Sequence, residues 1–177
     1  MKKSMIAIVF AAAVCLSAAE LAINFKAALA QTPPMSGTVK GWARNNSSKA
    51  SDIGTGEVSE ENGVGCFKIE TTKRETDFYY RKYIDAKAGQ TLEFEITAQG
   101  TGYIAAACYS YEASRKNFYP GNSRRTFALT KEKKVYKGSI KLADGKKGQK
   151  LAYILLAVGV APKSSVTIFD VKARVTE

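Results

Sequence analysis

The chain has 177 residues, with 27 basic against 16 acidic side chains, a formal net charge of +11 and no histidine. Without imidazole it lacks the usual general base near neutral pH and the commonest metal ligand, which excludes histidine-dependent triads and histidine-ligated zinc. The basic balance favours attraction to anionic surfaces such as acidic polysaccharide, wall polymer or lipid headgroups, whereas no clustered basic helix points to nucleic acid.

The chain opens with Lys2 and Lys3 ahead of an apolar run from Met5 to Ala19, and "ALAQ" at residues 28–31 offers a small-x-small cleavage site. The run is too short for a membrane helix, which needs about 20 apolar residues. Residues 1–30 therefore read as a secretory signal peptide cleaved after Ala30, with a cut after Ala19 ("SAAE") as the alternative. A lipoprotein is disfavoured because Val14 stands before Cys15, where a small residue is needed. Removing residues 1–30 takes away Lys2, Lys3 and Lys26 against Glu20, leaving 24 basic and 15 acidic residues among 147, a net charge of +9. No later segment of the sequence reads as a transmembrane anchor. Residues 31–37, "QTPPMSG", read as a flexible leader and 38–177 as a single domain.

From Thr38 the sequence runs in short β-rich stretches divided by Gly, Asn, Ser and Asp clusters. "TVKGWA" is followed by a polar, Gly-rich loop, "NNSSKASDIGTGEVSEENG". "GCFKIE" puts Phe67 and Ile69 on one face. "FYYRKYIDA" puts Tyr80 and Lys82 on one face, and Tyr79, Arg81 and Tyr83 on the other. "TLEFEITAQ" alternates Leu92, Phe94 and Ile96 with Glu93, Glu95 and Thr97, as an antiparallel strand with one wet face does. After the turn "GTG" comes "YIAAACYSY", then "RTFALT", "VYKGSIKLA", the basic turn "DGKKGQK", "LAYILLAVGV" and "SVTIFDVKARV". The unalternating "LAYILLAVGV" reads as a central strand buried on both faces. Eight or nine strands and no long helix predict an all-β, two-sheet antiparallel sandwich of jelly-roll type.

"YRKYIDAKAGQTLEFEITAQGTGYIAAACYSYEASRKN" resembles the middle of the galactose-binding-like sandwiches found in bacterial carbohydrate-binding modules, and "SVTIFDVKARV" resembles their last strand. The resemblance covers roughly Trp42 to Val175 and implies a sandwich that binds carbohydrate. In many such modules paired aspartates of the last strand help hold a structural calcium. Here Phe169 stands where the first often does, leaving Asp170, with Glu57, Glu60 or Glu61 and Asp52 of the early loop to complete six to eight oxygens. Asp170 and Glu57 are the candidate calcium ligands, and calcium the one candidate cofactor.

Cys66 and Cys108 are too few for a thiolate metal cage. In an oxidising compartment they are either a disulfide pair or two buried small residues on separate strands. In "YIAAACYSYE" alternation places Tyr103, Ala105, Ala107, Tyr109 and Tyr111 together, either lining an exposed sheet face or packing inward. The next loop, "ASRKNFYPG", sets Phe118 and Tyr119 among Arg115, Lys116 and Asn117, a binding-surface composition. Sugar recognition needs a flat ring against the apolar face of a pyranose and planar polar groups for its hydroxyls. Arginine adds charge-assisted bonds to uronate or sulfate. The candidate ligand-binding residues are Tyr109, Tyr111, Arg115, Asn117, Tyr119 and Tyr80. Glu93 and Glu95 share a face two residues apart, the ordinary pattern of a wet strand, and no acid pair suggests hydrolysis. The expectation is a non-catalytic exported protein, periplasmic or extracellular, that binds carbohydrate, with an anionic glycan favoured by its charge. The alternative is a structural or protein-interaction subunit of the cell envelope.

Overall fold

The computed structural model describes residues 20–23, 25, 41–44 and 54–177. Thirteen strands form among them. The first six are β1 (Glu20–Ile23), β2 (Trp42–Arg44), β3 (Thr55–Glu61), β4 (Val64–Glu70), β5 (Thr76–Tyr80) and β6 (Ile84–Asp85). Then come β7 (Thr91–Gly100), β8 (Tyr103–Tyr111), β9 (Asn117–Phe118), β10 (Arg124–Ala128), β11 (Lys134–Lys141), β12 (Tyr153–Val160) and β13 (Ser165–Thr176). One sheet has the order β11-β7-β13-β4-β3, with β1 also on β13; the other is β10-β8-β12-β5-β2, with β6 on β12 and β9 on β8. Every pairing is antiparallel. The result is the expected two-sheet antiparallel sandwich.

The core lies between the sheets. Leu92, Phe94, Ile96 and Ala98 of β7 face Ile104, Ala106 and Cys108 of β8 and Ile154, Leu156, Val158 and Val160 of β12, all buried. Each large apolar side chain taken out of water stabilises the fold by about 1.5–3 kcal/mol. Trp42 is buried beside Phe67, with ring centroids 6.0 Å apart. The "GTG" turn joins β7 of one sheet to β8 of the other, and Gly102 there has φ +77°, a left-handed conformation that suits glycine.

Several elements differ from the sequence expectation. The Gly-rich early loop contains β3, paired with β4 from Thr55 opposite Glu70 to Glu61 opposite Val64. The turn between them is Asn62-Gly63, with φ 53° and 76°, the positive values that a tight hairpin requires. "FYYRKYIDA" breaks after Tyr80 and resumes as β6. The first expected strand is observed over Trp42–Arg44, and Thr38 lies outside the described residues. Within residues 1–30, read as a signal peptide cleaved after Ala30, Glu20–Ile23 pairs with the last strand, and Leu21, Ile23 and Phe25 are buried.

Among the described residues, Cys66 and Cys108 are free and buried. Cys108 belongs to the core cluster, whereas Cys66 lies between Phe67 and Gly65 in β4 and points away from the core, beside Ser59 Oγ at 3.4 Å. Side chains directed to opposite faces cannot bridge without backbone movement, so the disulfide expectation gives way to two separate thiols.

Candidate functional site

Alternation along β8 sends Ile104, Ala106 and Cys108 inward and Tyr103, Ala105, Ala107, Tyr109 and Tyr111 to the outer face of their sheet. Register aligns Ala107 with Ala157 and Tyr79, and Ala105 with Gly159 and Asp77, across β8, β12 and β5. The middle of this face is therefore a floor of alanine and glycine. Longer side chains cross above it. Tyr109 donates to Asp77 Oδ2 at 2.8 Å, and Tyr103 to Glu75 Oε2 at 2.6 Å. Arg124, entering from β10, is hydrogen-bonded to Glu75 and stands 3.6 Å from Asp77 Oδ1.

Gly159 makes this arrangement possible. A Cβ there would lie 2.5 Å from Asp77 Oδ1 and 3.1 Å from Glu75 Oε1, and would also meet the Arg124 guanidinium. Asp77 Oδ1 is buried, and none of the described residues donates a hydrogen bond to it. Burial raises the Asp77 pKa above 3.8, against the opposing effect of the Tyr109 hydroxyl. Burial likewise lowers that of Arg124.

The other end of the face is aromatic. Tyr83 meets Tyr111 edge-on at 5.2 Å and Tyr153 at 5.7 Å, while Tyr79 meets Tyr109 at 5.7 Å. The Arg115 guanidinium lies 5.3 Å above the Tyr83 ring, a cation–π arrangement. Burial, followed by the phenols of Tyr83, Tyr79 and Tyr119, pushes the Tyr111 pKa up. Three connections converge here. The β5–β6 segment carries Arg81 and Lys82, the β8–β9 turn carries Arg115 and Lys116, and the segment before β12 carries Lys146, Lys147 and Lys150. Against them stand Asp85, Glu112 and Asp144, the last paired with Lys150 at 2.6 Å.

Of the six expected ligand-binding residues, Tyr109 and Tyr111 lie on this face. Asn117 is opposite Tyr111 in register and exposed, Arg115 covers Tyr83, and Tyr119 is 65% exposed. Tyr80 does not join them. It points inward and meets the Trp42 ring at 5.7 Å, because its neighbour Tyr79 takes the outer position. Phe118, expected in the exposed loop, is buried in the core beneath Gly145. Tyr83, Tyr153, Asp77, Glu75 and Arg124 were not among the expected ligand-binding residues. The parity of "FYYRKY" about inward Phe78 carries the signal for Tyr83, but Tyr153 is hidden at the start of an apolar run.

The calcium expectation finds no cluster. Asp170 is 3.4 Å from Lys172, Glu57 is exposed on β3 opposite Lys68, and β4 separates β13 from β3. Among the described residues no group of three or more cysteine, aspartate or glutamate side chains is placed to hold a metal; Asp52 lies outside them. Phe169 falls where the β13–β7 register shifts, with Lys133 Nζ 4.0 Å above its ring.

A surface hollow on the opposite sheet is lined by Glu93, Glu95, Lys137, Lys172 and Arg174. Two ion pairs lie within it, Lys137 to Glu95 at 2.8 Å and Arg174 to Glu93 at 2.6 Å, while Lys172 pairs with Asp170 at 3.4 Å. The Lys137 hydrogen bond holds the Glu95 carboxyl below its usual range, the reverse of what a general acid needs.

No protein-family profile and no curated protein matches the sequence. Comparison of structures finds the CBM22-1 xylan-binding domain from Paenibacillus barcinonensis Xyn10C, 13% identical with a TM-score of 0.50, over 89% of this chain and 94% of that one. The enzymatically active domain of bacteriophage CBA120 tailspike protein 4 is 10% identical with a TM-score of 0.52. That match covers 76% of this chain, and the chain spans only 19% of that one's length. The likeness is one of fold: the chain is similar in its two-sheet β-sandwich to the CBM22-1 xylan-binding domain, at low sequence identity.

Proposed function

We propose that the protein is an exported, non-catalytic carbohydrate-binding domain that takes an anionic glycan on the outer face of the β10-β8-β12-β5-β2 sheet. The observation that carries this reading is the Tyr79–Tyr109 and Tyr83–Tyr111–Tyr153 ring array beside a basic end. Such rings supply apolar faces for pyranoses. Arg115 and its neighbouring lysines attract uronate or sulfate, and the Glu75–Arg124–Asp77 network offers donors and acceptors to hydroxyls.

Affinity electrophoresis and a glycan array, run on folded protein with acidic and neutral polysaccharides, test it. Retention by acidic chains that weakens with added salt supports the reading, since salt screens exposed charges. Failure of a folded sample to bind any polysaccharide overturns it. Binding of neutral glycans alone, insensitive to salt, overturns the anionic specificity and leaves the tyrosine face as the site.

A further inference from the structure

Strand β13 has an uneven neighbourhood. On one side β7 pairs with it from Val166 to Thr176; on the other, β4 pairs only with Ser165 to Ile168. The vacant edge beyond β4 is filled by β1, with Glu20 opposite Arg174, Leu21 opposite Ala173, Ala22 opposite Lys172 and Ile23 opposite Val171. An edge strand left open here would present unpaired N–H and C=O groups.

The side chains of this segment alternate as a core strand does. Leu21 and Ile23 are each 8% exposed, whereas Ala22 is exposed. Phe25 is 1% exposed, with its ring centroid 5.8 Å from Phe67 and 6.4 Å from Trp42. The segment completes the hydrophobic cluster and would be lost from a chain cut after Ala30.

The sequence offers another boundary. The apolar stretch of a secretory leader spans about 7–15 residues and ends near a site with small residues at the third-last and last positions. Met5 to Ala19 fills that length, and Ser17 and Ala19 are the small residues. Beyond Ala19, Glu20, Asn24 and Lys26 interrupt the apolar character, while Leu21, Ile23 and Phe25 keep a strand-like alternation.

We propose that processing occurs between Ala19 and Glu20, so that the exported chain begins with its first strand and keeps Phe25 in the core. This inference is independent of any ligand. Expression of residues 1–177 in an exporting bacterial host, followed by intact-mass measurement and N-terminal sequencing of the exported protein, tests it. A species of residues 20–177 beginning Glu-Leu-Ala-Ile supports the proposal. A species beginning at Gln31, or an unprocessed chain, overturns it. Ala19→Arg should abolish the Glu20 terminus and retain the leader; normal processing of that variant overturns the assignment. Phe25→Ala should leave the terminus at Glu20 but lower Tm by several degrees, and an unchanged Tm would remove the structural reason for retaining the segment.

Discussion

Tyr109 and Asp77 are joined across an intervening strand: the phenol of β8 donates to the carboxylate of β5 over β12, at 2.8 Å. The span is open because Ala157 and Gly159 keep the floor beneath it low. Sequence, register and polar geometry meet at this contact.

The pH dependence of Asp77 follows from its burial. Its unfolded value is 3.8, and the folded value is raised. The protonated group therefore favours folding below 3.8, and that contribution is lost as pH rises through the folded value. Asp77→Asn removes it while keeping the shape. The stability of the native protein relative to this variant should fall as pH rises from below 3.8 to neutrality. Urea unfolding at a series of pH values measures it; a difference that does not change with pH contradicts the burial argument.

Gly159→Val should displace the Arg124 guanidinium from Asp77 and Glu75. Overpacking of this kind costs about 1–3 kcal/mol. Thermal unfolding should show the loss, and glycan affinity should fall with it if the polar network reads hydroxyls. Unchanged stability would show that the side chains move aside freely.

Truncating the rings separates the two faces. Tyr83→Ala and Tyr111→Ala should each weaken glycan binding by at least about fivefold, since a ring that contributes at a binding surface is worth 1 kcal/mol or more. Tyr80→Phe, altering an inward ring packed on Trp42, should leave affinity unchanged. Calorimetric titration of the three variants distinguishes these outcomes, and equal losses in all three would contradict the assignment of faces.

The thiols should be inert in the folded state. Burial pushes the Cys108 pKa up to about 12, partly offset by Ser110, and Cys66 is fully buried. Thiolate is the reactive form, so a disulfide reagent should label neither until the protein is denatured, and then both. Protein that releases two new thiols only on reduction would show that the cysteines pair.

Period-two alternation made most of the fold readable: Leu92–Phe94–Ile96 and Phe67–Ile69 turn inward as the sequence predicts, and Trp42 plugs the core. What alternation could not show was pairing across long separations. Strand β3 looked like a loop because Glu57, Ser59 and Glu60 are polar and its hairpin signal rests on Asn62-Gly63 alone. The site was partly readable for the same reason. Parity places Tyr109 and Tyr111 together, but cannot say which parity faces water until Cys108 and Ile104 are seen in the core. Tyr83, Tyr153 and Arg124 join the face only through register between strands that are distant in the chain.

The placement of β13 governs when this domain can fold. β7, β4 and β1 all pair with a strand near the carboxyl end, with Glu20 meeting Arg174. β4 and β7 meet β3 and β11 earlier in synthesis, but β1 has no other partner among the described residues, and the sheet cannot close until β13 is present. Loop closure over such separations is slow, and contacts of this kind delay folding relative to local ones. Completion of this sheet is therefore a late event in synthesis, and the hairpins formed before it leave strand edges exposed to aggregation.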